Sequence, residues 1–291
     1  MSNQLLHSYK NGNYTVNLFA DGTKEKFTED DFFKADFPDS MDLKITNYCD
    51  ANCPMCHENS NIYGKHANLD APFLNTLPKG IELAIGGGNP LSHPDLLPFL
   101  KRMKNSGIIC NITINEKHLL SNNALIDQLI EEKLVWGVGV SITEAHQKTV
   151  NFLHSYKNSV AHIICGIVTP QIIYKLKDCK VLVLGYKQKG RGKNYFSEEV
   201  EKSILNFKKN LPLYFNHFES ISFDNLAIIQ TGIESLIDKE EWQKRFMGKD
   251  GEASMYIDLV NQKYALSSLA EKTFPLASDI YTMFKHINSL I

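Results

Sequence analysis

From residue 42 onward, short runs rich in isoleucine and valine alternate with helical patterns, and this alternation narrows the possible folds most. The strand-like runs lie at 42–46, 81–85, 108–114, 136–142, 160–168 and 180–184. The helical patterns lie at 94–105, 121–133, 144–156, 171–177 and 197–210. Strands that are each followed by a helix predict a parallel sheet with right-handed crossovers. Ligand sites in parallel α/β folds lie at the carboxyl ends of the strands.

Three cysteines follow the first of these strands. Cys49, Cys53 and Cys56 are separated by three and then two residues. Thiolates so close together, in a chain without a sign of secretion, indicate a metal or a cluster rather than disulfides. Three cysteines leave a four-coordinate zinc or iron site one ligand short, and His57 is adjacent. A [4Fe–4S] cluster held by three cysteines would instead leave one iron open to another molecule.

The spacing Cys-x3-Cys-x2-Cys after a first strand resembles the signature of the radical S-adenosylmethionine (SAM) enzymes. The resemblance implies that Cys49, Cys53 and Cys56 hold a [4Fe–4S] cluster, whose fourth iron is chelated by the amino and carboxylate groups of SAM. It also implies reductive cleavage of SAM to a 5′-deoxyadenosyl radical, which abstracts hydrogen from a substrate. The implied fold is an α/β partial (β/α)6 TIM-like barrel. The resemblance covers roughly residues 42–195.

A glycine-rich run at the end of the second predicted strand extends the resemblance. Gly87, Gly88 and Asn89 precede Pro90 and match a Gly-Gly-Glu-Pro-like motif, which contacts the SAM amino group in the family. Asn89 replaces the glutamate of that motif. Its amide oxygen can still accept a hydrogen bond from an ammonium group, but without a charge. Glycine-rich turns also follow many strands without binding a ligand, and the cysteines decide in favour of SAM here.

Three polar residues at the ends of the third and fourth predicted strands are candidates for the SAM ribose. By resemblance, Ser141 on the fourth strand is the best match, and Thr113 and Asn115 on the third belong to the same pocket. For each of them, a capping or strand-end hydrogen bond is the alternative role.

A basic loop follows the sixth predicted strand. It carries Lys187, Lys189, Arg191 and Lys193 among glycines, again at a strand's carboxyl end. The alternative is a solvated, flexible loop. A binding role would be a contact with an anionic group, which is the carboxylate of SAM, a substrate carboxylate or a phosphate. Arg191 is the best single candidate, because a guanidinium fork suits a carboxylate.

The residues on either side of the alternating region are expected to form smaller additions. We predict an N-terminal hairpin extension over 1–41, a barrel over 42–210 and a small α+β extension over 211–291. The hairpin turns at Asp21 and Gly22, and it is either structural or a cover for the active site. The last part is expected to hold a strand at 221–230, a hairpin at 248–268 and a final helix at 278–291.

The remaining cysteines and the charge balance exclude several classes. Cys110, Cys165 and Cys179 are scattered and are predicted to be small buried strand residues. Because no cysteine follows Cys179, the C-terminal extension cannot hold an auxiliary cluster through cysteine. With 31 basic and 33 acidic residues, neither nucleic acid nor a membrane is expected as a partner. The first residues lack a signal-peptide core, so a soluble, cytoplasmic protein is expected.

The sequence leaves the substrate and the catalytic side chain unassigned. A peptide or a small molecule is expected as substrate, with an electron donor such as flavodoxin or ferredoxin. Two alternatives stay open. One is a non-catalytic iron–sulfur or zinc protein that binds a partner, with Cys3His ligation through His57 as its mark. The other keeps the barrel and the cluster, but Asn89 abolishes SAM binding.

Overall fold

The computed structural model describes residues 4–291, and its first element is a small antiparallel sheet. Its strands are β1 (Leu5–Asn11), β2 (Tyr14–Phe19) and β3 (Lys24–Phe27), in the order β1-β2-β3. The predicted hairpin is present as β2 and β3, and Gly22 in its turn has φ +88°. The sequence analysis missed β1, whose alternation of polar and apolar residues is weak.

Six parallel strands form the centre of a second, larger sheet. They are β4 (Ser40–Thr46), β5 (Glu82–Gly87), β6 (Ile109–Asn115), β7 (Gly137–Ser141), β8 (Ser159–Ile164) and β9 (Lys180–Leu184). They lie in sequence order, as successive right-handed crossovers require. On β4, the side chains of Met41, Leu43 and Ile45 are buried in the hydrophobic core. The predicted strand 160–168 is too long, because the chain turns after Ile164 and Gly166 has φ +90°.

Within residues 4–291, ten α-helices surround and follow these strands. They are α1 (Leu96–Asn105), α2 (Glu116–Ser121), α3 (Asn123–Glu131), α4 (Gln147–Ser155), α5 (Pro170–Lys175), α6 (Arg191–Tyr195), α7 (Glu198–Tyr214), α8 (Asn225–Thr231), α9 (Lys239–Arg245) and α10 (Ile280–Asn288). The helix predicted at 121–133 is present as α3, and the separate helix α2 before it was not predicted; the non-helical backbone of Asn122 divides the two. None of the helices within residues 4–291 has the length and apolar character to span a bilayer.

The C-terminal residues lengthen the large sheet at both edges. β10 (Ser220–Phe223) pairs with β9, and β11 (Ser254–Asp258) pairs in parallel with β4. Beyond β11 lie β12 (Lys263–Ala265) and β13 (Phe274–Pro275). The predicted hairpin at 248–268 is present as β11 and β12. The strand predicted at 221–230 is wrong in its second half, where Asp224 caps α8 instead. The division at residue 211 stays a prediction.

The small N-terminal sheet lies at the amino ends of the large sheet's strands. Lys24 forms an ion pair with Glu82 at the start of β5. Asn158, just before β8, donates a hydrogen bond to the Ala20 carbonyl at 3.1 Å, and Lys180 at the start of β9 donates to the Asp21 carbonyl. The cysteine-bearing loop follows the opposite end of β4. The hairpin is therefore at the wrong end of the sheet to cover that loop.

Candidate functional site

A cavity of about 270 Å³ lies at the carboxyl ends of the parallel strands. Eight of the ten predicted site residues line it: Cys49, Cys53, Cys56, Gly87, Gly88, Thr113, Asn115 and Ser141. Asn89 lies directly behind this lining and is buried, whereas Arg191 lies against the loop that carries the cysteines. Residues from the ends of three strands and from the loop that carries the cysteines, far apart in the sequence, therefore meet in one place.

The cysteine loop, residues 47–66, is held by backbone hydrogen bonds on two sides. Within the loop, the Asn47 N–H donates to the Lys65 carbonyl and the Cys49 N–H donates to the Asn61 carbonyl, both at 2.9 Å. Towards β5, the Asn89 N–H donates to the Tyr48 carbonyl at 2.6 Å. All three loop cysteines are free thiols and partly exposed. The loop is thus a fixed frame that presents three thiols to the cavity.

The pKa values of the Cys49 and Cys53 thiols are raised, so these two thiols are poorly ionised without a bound cation. Burial raises the pKa of Cys49, and the neighbouring Cys56 raises it further. Burial also raises the pKa of Cys53, as do Cys56 and Cys49, while Arg191 opposes the rise. Thiolates close together repel, and a metal or cluster removes this cost because ligation displaces the protons.

A closed zinc site and a four-iron cluster require different separations between the three loop thiols. Within residues 4–291, no three His, Cys, Asp or Glu side chains are placed to hold a single metal ion. Zinc–sulfur bonds of about 2.3 Å would bring the ligand sulfurs to within about 4 Å of one another. His57 lines the cavity, with its Nε2 atom 3.4 Å from Glu58 Oε1. A four-iron cluster takes each thiolate on a separate iron and is larger than a single ion.

The glycine motif allows β5 to pack directly on the start of the cysteine loop. Gly87 has φ +111°, and a Cβ atom there would lie 2.4 Å from the Thr46 carbonyl oxygen. A Cβ atom on Gly88 would lie 2.1 Å from the Tyr48 carbonyl oxygen. Next to them, the Asn89 Oδ1 atom is buried and has no hydrogen-bond partner among residues 4–291. The motif therefore combines a backbone contact that only glycine permits with an unused acceptor.

The three ribose candidates differ in what their side chains already bind. Asn115 Oδ1 accepts from the Lys117 N–H at the start of α2, so the predicted capping alternative is present. Asn115 Nδ2 lies 3.7 Å from Cys53 Sγ. The hydroxyls of Thr113 and Ser141 make no side-chain hydrogen bond within the described part of the chain. Both hydroxyls are available to a ligand in the cavity.

Glu116 is a supporting residue that the sequence analysis missed. Its carboxylate is fully buried and accepts hydrogen bonds from the backbone N–H groups of Thr143, Glu144 and Ala145 on Oε2 and of His146 on Oε1. Burial alone would raise its pKa, but these hydrogen bonds outweigh burial and lower the pKa to about 2. The loop after β7, which contributes Thr143 to the cavity, is therefore built around one ionised carboxylate.

A second buried charge network joins the cysteine loop to the C-terminal strands. Lys44 Nζ lies 2.5 Å from Glu58 Oε2 and 3.1 Å from Asp258 Oδ2. Tyr256 donates a hydrogen bond to Glu58 Oε1 at 3.1 Å. Burial works against the charge on Lys44, yet the two carboxylates outweigh it and raise the lysine pKa. β11 is thus electrostatically linked to the base of the site.

We expect Lys44→Met to lower the free energy of unfolding by about 3–5 kcal/mol, because two buried carboxylates would lose their counter-ion. Urea unfolding at pH 7 measures the change. Lys101→Met removes a lysine from an exposed pair with Glu132 and is the control, with an expected change below about 0.5 kcal/mol. Equal stability of the two variants would contradict this account of the network.

Tyr186 lines the far side of the cavity, and Cys165 is buried behind that wall. Cys165 is fully buried, consistent with the predicted packing role, and its Sγ atom lies 3.2 Å from Gln230 Oε1. Gln230 also accepts from the Tyr186 N–H at 2.7 Å and donates to the Tyr186 carbonyl at 2.9 Å. Tyr186 lines the cavity, and Cys165 does not. Gln230 thus fixes the backbone of the cavity wall from behind.

The basic loop divides into two groups of contacts. Lys187 lines the cavity and donates to Ser268 Oγ at 3.0 Å, and Lys189 donates to the Ser268 carbonyl at 2.6 Å. Arg191 instead donates to the cysteine loop, to the carbonyls of Cys53 at 3.0 Å and Ser60 at 2.9 Å. The carboxylate contact expected of Arg191 stays a prediction.

Comparison with known proteins gives matches in structure alone. No protein-family model matches the chain, and no curated protein matches its sequence. The structure of Streptococcus suis SuiB bound to the precursor peptide SuiA matches with a TM-score of 0.61 at 14% identity, over 86% of this chain and 65% of SuiB. SuiB bound to S-adenosylmethionine matches with a TM-score of 0.56 at 14% identity, over 86% and 64%. The chain thus spans less than two thirds of SuiB, and the likeness shows a shared α/β fold.

Proposed function

We propose that this protein is a radical SAM enzyme, in which Cys49, Cys53 and Cys56 hold a [4Fe–4S] cluster and SAM binds in the adjoining cavity. The observation that carries the proposal is the meeting of three partly exposed thiols and the glycine motif at one cavity. The similarity of fold to a protein whose structure was determined with S-adenosylmethionine supports it.

The polar groups around the cavity fit these cofactors. Asn89 Oδ1 and Ser60 Oγ are buried without hydrogen-bond partners within residues 4–291, and an unmade buried hydrogen bond costs about 1–3 kcal/mol. Ser60 lines the cavity, so a bound ligand could provide its partner. The hydroxyls of Ser141 and Thr113 suit a ribose. These are the kinds of group that a site for a zwitterionic nucleoside would need.

Each set of residues has a proposed task. The thiolates bind the cluster, and Gly87, Gly88 and Asn89 orient the amino-acid end of SAM. The cavity wall formed by Ile142, Ile164 and Leu184 excludes water from the nucleoside end. Thr113, Asn115 and Ser141 orient the ribose, and Arg191 acts on the site through the cysteine loop. When bound, the cluster and SAM would supply the electron and the radical chemistry.

We further propose that the large sheet curves into a partial (β/α)6 barrel. β4 and β9 are five places apart in the sheet, which is about 24 Å in a flat sheet. Nevertheless, the Arg191 N–H after β9 donates to the Cys56 carbonyl after β4 at 3.0 Å. A side-chain hydrogen bond also joins Asn225, which follows β10, to Asp250, which precedes β11. These contacts support a sheet that curves so that β9 and β10 approach β4 and β11.

The proposed substrate is a peptide or a small molecule. The proposed electron donor, which would reduce the cluster in the cytoplasm, is a protein such as flavodoxin or ferredoxin. SuiB was seen with a precursor peptide, which supports the peptide as the first substrate to test. The small N-terminal sheet lies at the other end of the strands and is not part of the proposed site.

We expect anaerobic reconstitution with iron and sulfide to give about four irons per chain, and dithionite with SAM to give 5′-deoxyadenosine. Cys53→Ala should abolish both while leaving the melting temperature unchanged, because Cys53 packs in a loop rather than the core. Cys179→Ala is the matched control, since Cys179 is a buried thiol outside the cavity. It should retain the full iron content.

Three results would contradict the proposal in different ways. A full iron complement in Cys53→Ala would exclude the ligand assignment. A colourless protein that binds one zinc would favour the Cys3His alternative. A cluster whose spectrum does not respond to SAM, with or without a peptide, would leave a non-catalytic iron–sulfur protein.

A further inference from the structure

The turn that follows β9 leads into Arg191, the first residue of α6, and lies against the cysteine loop. The Arg191 side chain donates from Nε to the Cys53 carbonyl at 3.0 Å and from Nη1 to the Ser60 carbonyl at 2.9 Å. The backbone N–H of Arg191 donates to the Cys56 carbonyl at 3.0 Å. Arg191 therefore binds the cysteine loop at its second cysteine, at its third cysteine and at Ser60 beyond them.

The glycines on either side of Arg191 allow this close approach. Gly190 has φ +54°, and a Cβ atom there would lie 2.5 Å from the His57 carbonyl oxygen. A Cβ atom on Gly192 would lie 3.0 Å from the Met55 carbonyl oxygen and 2.4 Å from that of Lys187. Side chains at either position would push the turn away from the cysteine loop. The sequence Gly-Arg-Gly is therefore shaped by contact with that loop.

The guanidinium charge of Arg191 is hydrogen-bonded to neutral groups rather than to a carboxylate. Within residues 4–291, Arg191 forms no ion pair with a carboxylate, although it is partly buried. Its hydrogen bonds go to neutral groups, namely two carbonyl oxygens and the Asn59 Oδ1 atom. A partly buried cation without a counter-ion is costly, and the cost falls when an anion binds nearby. The thiolate-ligated cluster proposed above is such an anion.

We propose that Arg191 is a positioning residue that holds the cysteine loop in its cluster-binding conformation before any metal arrives. The inference rests on the proposed function, because it takes this loop to be the cluster loop. In this role, Arg191 does not bind a carboxylate of SAM or of the substrate; it fixes the cysteine loop by donating hydrogen bonds to the loop's backbone carbonyls. The guanidinium fork matters because it reaches two carbonyls, seven residues apart, at the same time.

The test uses the metal-free full chain, so that its result does not depend on the cluster. Arg191→Met removes the fork and the charge, Arg191→Lys keeps only the charge, and Lys193→Met removes an exposed charge two residues away as a control. Site-resolved alkylation, read by mass spectrometry, measures the reaction rate of every cysteine. Cys110, Cys165 and Cys179 are buried elsewhere and report on the general fold.

In Arg191→Met, we expect the loop thiols to react about tenfold faster, since loss of a hydrogen bond to a charged group shifts a local opening by such a factor. The buried thiols and the melting temperature should stay unchanged. Arg191→Lys should be intermediate, and Lys193→Met should equal the wild type. On reconstitution, Arg191→Met should take up iron more slowly than the wild type.

Several results would overturn the inference. If the loop thiols of Arg191→Met react at the wild-type rate, Arg191 does not hold the cysteine loop. If the only change in this variant is weaker SAM binding, Arg191 instead contacts the SAM carboxylate directly. A joint rise for loop and buried thiols would indicate a role in the general fold. If Arg191→Lys behaves like the wild type, the two hydrogen bonds from the guanidinium fork are not needed to hold the loop. If the loop thiols of Arg191→Met react faster as expected but the wild type binds no cluster, the positioning role of Arg191 is supported and the proposed function is wrong.

Discussion

Glu116→Gln is expected to lower the free energy of unfolding by about 3 kcal/mol at pH 7, the size of its pKa shift from 4.5 to about 2. The carboxylate accepts four backbone N–H bonds from residues 143–146. A glutamine amide would replace one acceptor oxygen by an N–H₂ group that faces donors. Chemical denaturation measures the loss, and hydrogen exchange of the amides of residues 143–146 should rise with it.

The pH dependence separates this effect from a loss of packing. The folded-state pKa of Glu116 lies below its unfolded value, so the stabilisation is present in full above pH 4.5. It is lost as the pH falls from about 4.5 towards 2. The difference between wild type and Glu116→Gln should therefore close over that range. Glu144→Gln, which alters an exposed carboxylate, is the control and should change stability by less than about 0.5 kcal/mol. A gap that stays constant with pH would contradict the argument.

The parts of the fold that the sequence predicts are those with a local signal. The six central strands were all predicted, because each contains a short run of Ile, Leu or Val that is followed by a helical pattern. The pairing of β11 with β4 was not predicted. Residues 254–258 and 40–44 are far apart in the sequence, and no local pattern in either segment indicates which strand it pairs with. α2 was missed although a capping role was considered for Asn115, because its six residues are too few to show a helical repeat.

The candidate site likewise contains residues with a local sequence signal and residues that only the folded chain brings together. The three cysteines are close in sequence, so their spacing alone indicates a common ligand. Glu116 and the Lys44 network could not be found in this way, because their partners come from loops that only the folded chain brings together. Arg191 was singled out for its chemistry, yet its partners are backbone carbonyls, which no sequence pattern identifies.

Gly88→Ala is expected to remove most of the iron-binding capacity of the protein, whereas Gly86→Ala is expected to keep it. A Cβ atom on Gly88 would lie 2.1 Å from the Tyr48 carbonyl oxygen, which is backbone and cannot rotate away. β5 and the cysteine loop would have to separate and lose the hydrogen bonds from Gly88 to Thr46 at 2.8 Å and from Asn89 to Tyr48 at 2.6 Å. Each loss costs about 1–3 kcal/mol if the group stays buried.

Gly86 makes this a matched comparison, because it lies two residues earlier and no atom lies within 4 Å of its added Cβ. Iron per chain after anaerobic reconstitution and the equilibrium dissociation constant for SAM are the two measurements. We expect Gly88→Ala to weaken SAM binding at least about tenfold, since one lost buried hydrogen bond suffices for that factor. Equal values for both alanine variants would mean that the cysteine loop can bind its ligands without its contact to β5. The glycine motif would then act on SAM through its own backbone, rather than by shaping the loop beside it.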